Sequence, residues 1–263
     1  MQTANDISWL QLTLFSLLLV VPLAINVFYK LELAKEMCTA IVRMVVQLTL
    51  VGLYLEYLFQ LNSLTLNLLW LLVMLLVGSS AITSKARLEN RYLLFPVASG
   101  LFIGLSPVLL ILCFYVISPE PWYQAQYLIP VSGMLLGNSL SGNIVALQNF
   151  YGAFELRKGE YEAAISLGAK PSYACNPFVR AAMQKALAPI LASMTTTGLV
   201  TLPGMMTGQI LGGASPMLAI KYQLIILVAI FVMMSVSLTI SLQLSIKYTI
   251  NESGRVKAKF IEK

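Results

Sequence analysis

Side chains able to do chemistry are scarce in this sequence. None of the 263 residues is His, which removes the commonest transition-metal ligand, the commonest general base and any Ser-His triad. Cys38, Cys113 and Cys175 have no metal-ligand spacing and are expected as free thiols. No GxxxxGK(S/T) phosphate loop occurs. The chain is therefore expected to be no enzyme: it should hydrolyse no ATP itself, bind no cofactor and offer no catalytic residue.

The remaining polar groups are set in apolar sequence, where each is costly and so informative. Asn138 and Asn143 ought to face a partner helix or a cavity. Glu56 sits toward one end of its hydrophobic run, where it either attracts cations or lies at the interface; Gln47, about two turns inward, would continue such a path. Thr195, Thr196, Thr197, Thr207 and Gln209 flank Pro203-Gly204 and could line a pathway. Pro203 lacks a backbone donor and Gly204 is a poor helix former, so the helix should kink or break there. Non-helical backbone at membrane depth survives only beside protein or a wet cavity. The competing reading is a proline kink whose threonines bond to their own helix. Met205 and Met206 carry thioethers suited to soft ions, but adjacent residues of a helix point apart, which favours packing or gating contacts. Gly133, Gly137 and Ser141, at intervals of four, form a small-residue stripe expected to let another helix come close.

A second constellation lies in 150–187. Phe150, Phe154, Tyr161 and Ile165 recur at helical spacing and share one stripe, with Glu155, Glu160 and Glu162 filling the rest. Gly168 stands where a helix C-terminus wants a residue tolerant of positive φ, and Pro171 can begin a second helix. The expected form is a helix, a glycine turn and another helix at the membrane surface. It either anchors a loop or docks another protein, since Ala163 and Ala164 permit close approach.

All these groups need a membrane around them. The chain is 58% hydrophobic and only 11% charged, a composition of the membrane class. Seven runs are long enough to cross about 30 Å of hydrocarbon: 8–29, 40–59, 65–83, 94–118, 123–149, 187–213 and 217–246. The first lacks basic flanks and is too long for a cleaved signal peptide. The expected fold is all-α, a single transmembrane domain over 1–263 with about seven transmembrane helices and a cytoplasmic helix-turn-helix loop within it at 150–187.

Lys and Arg alternate by loop. Lys30, Lys35 and Arg43 follow the first run, Lys85, Arg87 and Arg91 the third, Arg157, Lys158, Lys170, Arg180 and Lys185 the fifth, and Lys247, Arg255, Lys257, Lys259 and Lys263 the seventh. Only Lys221 falls on the other side. The positive-inside rule then puts the N-terminus outside and the C-terminus in the cytoplasm. It also accounts for the net charge of +6 without nucleic acid, the basic residues serving as topology signals and lipid-headgroup contacts.

Two strings carry a resemblance. Glu162-Ala163-Ala164 with Leu167-Gly168-Ala169 resembles the EAA loop of ABC-transporter permeases, a short cytoplasmic helix that sits in a cleft of a separate ATP-binding subunit. Leu202 to Gly213, LPGMMTGQILGG, with Ser215-Pro216 and the polar pairs around Asn138 and Asn143, is far more specific. Over essentially the whole chain it resembles the Fet-type iron-export ABC permeases, a family that includes plant aluminium-tolerance membrane subunits. The resemblance implies a homodimeric permease subunit in the bacterial inner membrane, exporting iron or an iron chelate and protecting against iron-mediated oxidative stress. ATP and Mg would be held by the partner subunit. Glu155, Glu160, Glu162, Ala163, Ala164 and Gly168 would couple to it. The pathway or gate would draw on Glu56, Gln47, Asn138, Asn143, Pro203, Gly204, Met205, Met206, Thr207 and Gln209, with no evident Fe(II) ligand set. The alternatives are an ABC permease for another metal or small solute, an ion-coupled secondary transporter or channel for cations, and a membrane scaffold that transports nothing; a secondary transporter would more often show inverted repeats and a midplane carboxylate.

Overall fold

The computed structural model describes residues 7–88, 90–251 and 253–257. Lys259 and Lys263 lie outside the described residues, as does the side chain of Arg91.

The described residues fold almost wholly into helices. A helix opened by the Ser8–Gln11 capping box runs as α1 (Trp9–Ser16), a 3-10 turn (Leu17–Leu19) and α2 (Val20–Phe28). Next come α3 (Ala34–Leu61), α4 (Leu64–Lys85) and α5 (Asn90–Ile111), the last extended by a π turn (Leu112–Val116). Then follow α6 (Ala125–Leu156), α7 (Lys158–Ser166), α8 (Pro171–Ala174), α9 (Asn176–Thr196), α10 (Gly204–Leu211) and α11 (Pro216–Thr249). Six of these stretches are long and apolar enough to cross a membrane: Trp9–Phe28, α3, α4, Tyr92–Val116, α6 and α11.

The core is a bundle of α4, α5, α6 and α11, with α9 against α6 and α10 against α11. Side-chain pairs give the directions. Asn143 meets Ser237 and Tyr151 meets Thr249, so α6 and α11 run parallel. Gly100 and Gly104 of α5 meet Ser241 and Met233 in reversed order, so α5 is antiparallel to both. Since α6 and α11 run the same way, α9 and α10 must carry the chain back along the bundle. The C-terminal ends of α4, α6 and α11 therefore share one end of the molecule with α7. Lys85, Arg157, Lys158 and Lys247 gather there, while Lys221 lies near the start of α11 at the other end.

The continuous sixth run over 187–213 is corrected by the structure. Helix ends at Thr196, residues 197–203 are non-helical, and Pro203, extended at φ −62° and ψ 146°, caps α10. Gly198 (φ +87°) makes the first turn of the break, its N–H donating to the Thr201 carbonyl at 2.9 Å. Sequence reasoning found the break but centred it on Pro203-Gly204, whereas the helix has already stopped seven residues earlier. The following turn is as expected: Gly213 has φ +92°, Ala214 N–H bonds back to the Gln209 carbonyl, Ser215 caps α11 through the Leu218 N–H, and Pro216 is its first residue.

The close helix approach lies elsewhere than predicted. A Cβ on Gly137 would meet nothing within 4 Å and one on Gly133 only the Met74 methyl at 3.5 Å, while Ser141 is exposed. Instead Gly100 and Gly104 let the α5 and α11 backbones touch: a Cβ on Gly100 would lie 2.8 Å from the Ser237 carbonyl, and one on Gly104 2.9 Å from that of Met233. Such small-residue contacts hold helices together where lipid removes the usual hydrophobic drive. The N-terminal helices are peripheral. Helix α3 packs on the bundle only near its end, where Leu58 joins Ala125 and Ile129 and Tyr54 packs at a tilt on Trp70.

Candidate functional site

The stretch after α6 forms a platform at the basic end. Its helix is not continuous with α6. The chain bends at Arg157 (φ −123°, ψ 34°), so Phe150 and Phe154 belong to α6 while Tyr161 and Ile165 belong to α7. The predicted stripe survives as a cluster: Phe154 packs edge-on against Phe150, Tyr161 and Phe178 at centroid distances of 5.2, 5.0 and 5.2 Å. At the bend the Arg157 guanidinium lies 5.0 Å over the Phe178 ring and its Nε donates to Glu160 Oε1 at 2.9 Å. That bond holds the exposed Glu160 carboxyl below the usual carboxylate range.

Helix α7 ends as a Schellman motif. Gly168, at φ +86°, donates to the Ile165 carbonyl, and Ala169 N–H reaches back to that of Ala164 at 3.0 Å. Pro171 then opens the four-residue α8. One face of α7 is fixed to the bundle and to the turn after α11. Tyr161 is buried, its hydroxyl donating to the Gly254 carbonyl at 2.9 Å, and burial pushes the phenol up to about 12. Ile250 pairs with Val256, and the intervening turn puts Gly254 (φ +78°) against Ile165. This link between α7 and the end of α11 was missed, since no short motif joins residues 93 positions apart.

The other face of α7 is open. Glu155, Glu160, Glu162, Ala163 and Gly168 are exposed, and Ala164 is half-buried. Beside them Leu156, Leu167 and Tyr173 are 88, 89 and 72% exposed. Local pairing ties up two of the carboxylates, Glu160 with Arg157 and Glu162 with Lys158, the latter at 3.6 Å. The result is an apolar patch rimmed by charge beyond the end of a membrane bundle, the kind of surface that receives a protein partner.

The predicted pathway residues do not form one cluster. Gln47 and Glu56 both lie exposed on α3, but nine residues of a regular helix are two and a half turns, so they point to opposite sides and cannot make one path as the sequence reading supposed. Asn143 is fully buried, donating to Ser237 Oγ at 3.0 Å and to the Ser139 carbonyl at 2.9 Å, and so clamps α6 to α11. Asn138 is exposed on the opposite side of α6, beside Gly137 and Ser141, bonded only to its own helix at the Met134 carbonyl.

Around the break, Thr195, Thr196, Thr197 and Thr207 each donate to a carbonyl of their own helix. Met206 is buried and Met205 packs on the core. Pro203 is half-buried at the head of α10 and Gly204 exposed. Gln209 buries a side-chain oxygen with no hydrogen-bond partner, as does Gln223 on α11. Gln223 escaped the sequence reading, as did Ser237, Ser241, Ser245 and Thr249, a buried polar row on α11 whose four-residue spacing was the available signal. Among the described residues, no three of Cys, Asp and Glu come close enough to hold a metal ion.

Long apolar helices with paired polar seams, ending in an amphipathic platform, define a multi-pass membrane protein. The chain belongs to the uncharacterised protein family UPF0014, whose model matches residues 9–250. It is similar to Protein ALUMINUM SENSITIVE 3 of Arabidopsis thaliana, 32% identical over 85% of this chain and 83% of that one. Similarity extends to the UPF0014 membrane protein YjkA of Bacillus subtilis (32% identical, over 83% of this chain and 86% of that one). The "Probable iron export permease protein FetB" of Escherichia coli is 29% identical over 85% of each chain. No solved structure matches significantly.

Proposed function

We propose that this chain is the membrane permease subunit of an ABC transporter, driven by a separate ATP-binding subunit that docks on α7. The observation that carries this reading is the two-sided mounting of α7: an open face with Ala163 and Leu167, beside Leu156 of α6, backed by a buried face packed on α6, on α9 and on the turn that follows α11. A helix so held transmits a push into all three at once. The α7 end is then cytoplasmic, which agrees with the basic residues gathered there, and the N-terminus is outside. The 150–187 segment is the coupling loop of a single permease domain.

Iron, free or chelated, is the proposed cargo, and export the proposed direction. Support comes from the relative named as a probable iron export permease. A path fits best along the exposed side of α6 bearing Gly137, Asn138 and Ser141, completed by the α9–α10 break and by a second copy of the chain. Polar groups facing outward from a membrane helix need such a partner. In this reading ATP closes the partner subunits, α7 moves, and α6 and α9–α10 rearrange together.

The test is copurification with the ATP-binding subunit. Ala163→Trp, on the open face, should abolish complex formation and transport-coupled hydrolysis while leaving the isolated chain's melting temperature unchanged. An intact complex with coupled hydrolysis would remove α7 from the coupling role.

A further inference from the structure

Helices α3 and α4 form a hairpin that closes only at its turn. Asn62 Oδ1 accepts from the Ala125 N–H at 3.0 Å, and Leu58 and Tyr54 pack there, but toward its start α3 leaves the bundle. A groove of about 730 Å³ remains between the first half of α3 and the last residue of α4, within the range of small-ligand sites. Its walls differ along their length. At the basic end stand Lys35, Arg43 and Lys85, opposed by one acid, Glu36, so the four sum to two positive charges. Lys35, Thr39 and Arg43 follow at intervals of four and thus share one face of α3. Farther along α3 the charges end and the wall is Met44, Gln47 and Leu48. The ion pairs formed among the described residues are Arg157–Glu160 and Lys158–Glu162, so among the described residues none of the three cations has an ion-pair partner.

We propose that this groove is a binding site for an anionic phospholipid, its headgroup phosphate held by Lys35, Arg43 and Lys85 and an acyl chain laid along Met44 and Leu48. The charge gradient decides between occupants. A soluble phosphate would use the cations but leave the apolar wall open. A second copy of the chain would bring another basic end toward an already basic groove. An anionic lipid matches both halves at the level where a helix end meets the interface, and the Arg and Lys stems can lie along the apolar wall with their charges at the headgroup. Occupancy would also fill the gap that leaves α3 without bundle contacts over its first half.

Native mass spectrometry of the full chain, released from micelles doped with phosphatidylglycerol or phosphatidylcholine, tests the site. Wild-type protein should retain phosphatidylglycerol in preference. Arg43→Gln and Lys85→Gln, on opposite walls, should each lower retention about fivefold, the weight of one cation at an anionic lipid surface; Lys221→Gln, at the other end, should not. Elution and melting profiles establish that each variant is folded, and the two walls give independent readings if one variant fails. Retention unchanged in both folded groove variants would overturn the proposal. So would displacement of the lipid by inorganic phosphate at equal concentration, which would mark a soluble-anion site, or a Thr39→Cys variant that cross-links to a second copy and retains no lipid.

Discussion

Gly100→Ala should destabilise the protein in a way that Gly137→Ala does not, although both add one methyl group to a glycine of a membrane helix. The added Cβ at 100 would collide with Ser241 Oγ and lie 2.8 Å from the Ser237 carbonyl oxygen and 2.9 Å from the Ser241 nitrogen. Moving the Ser241 side chain relieves only the first contact. The other two are backbone, so α5 and α11 must separate by several tenths of an ångström along their closest approach. Overpacking of this kind costs about 1–3 kcal/mol, and with two backbone contacts the upper half of that range is expected. At about 2–4 °C per kcal/mol for a chain of this size, the melting temperature should fall by about 4–12 °C. At Gly137 the same methyl meets nothing within 4 Å, and replacing Gly by Ala inside a helix is worth up to about 1 kcal/mol, so that variant should melt at or above the wild-type temperature. The assay is thermal unfolding of both variants in one detergent, followed by loss of monodispersity and by circular dichroism. Adding Ser241→Gly to Gly100→Ala should restore only part of the loss. Equal melting of the two single variants, or complete rescue by Ser241→Gly, would refute the assignment of the α5–α11 contact.

Other outcomes follow from single contacts. Asn143→Leu should lower stability by about 1 kcal/mol through loss of its interhelical bond to Ser237, measured by the same melt. Asn138→Leu should leave the melt unchanged and depress ATP-driven transport. Tyr161→Phe keeps the aromatic cluster but loses the bond to the Gly254 carbonyl; a cost of about 1 kcal/mol should appear as faster amide exchange in α7 and the C-terminal turn. Burial pushes the Cys175 thiol up to about 12, so its reactive thiolate, the deprotonated form, is scarce below that pH. Maleimide at neutral pH should label the exposed Cys38 in the folded protein, while Cys175 stays unlabelled until the protein is denatured.

Features set by a few adjacent residues were legible in the sequence. The Gly168 stop, the Pro171 start, the Gly213 turn and the Ser215-Pro216 cap each depend on local backbone chemistry. Features set by which helices meet were not. A four-residue spacing marks a face, but Gly133-Gly137-Ser141 and Gly100-Gly104 carry the same signal, and only the bundle decides that the second pair touches α11. Asn143 and Asn138 look alike in sequence, yet five residues put them on opposite sides of α6, one clamped to Ser237 and the other exposed. The break after Thr196 was placed too late because Pro203 caps the following helix, whereas Gly198 turns the chain out of the preceding one.

The central claim is that energy enters through α7 from a separate ATP-binding subunit. It is met most directly by proteoliposomes containing the chain with and without that subunit, loaded with Fe(II) and assayed for ATP-dependent flux. Flux is expected only with the partner and ATP together, and is lost in Ala163→Trp. Equal flux driven by an ion gradient with no ATP-binding subunit present would contradict it.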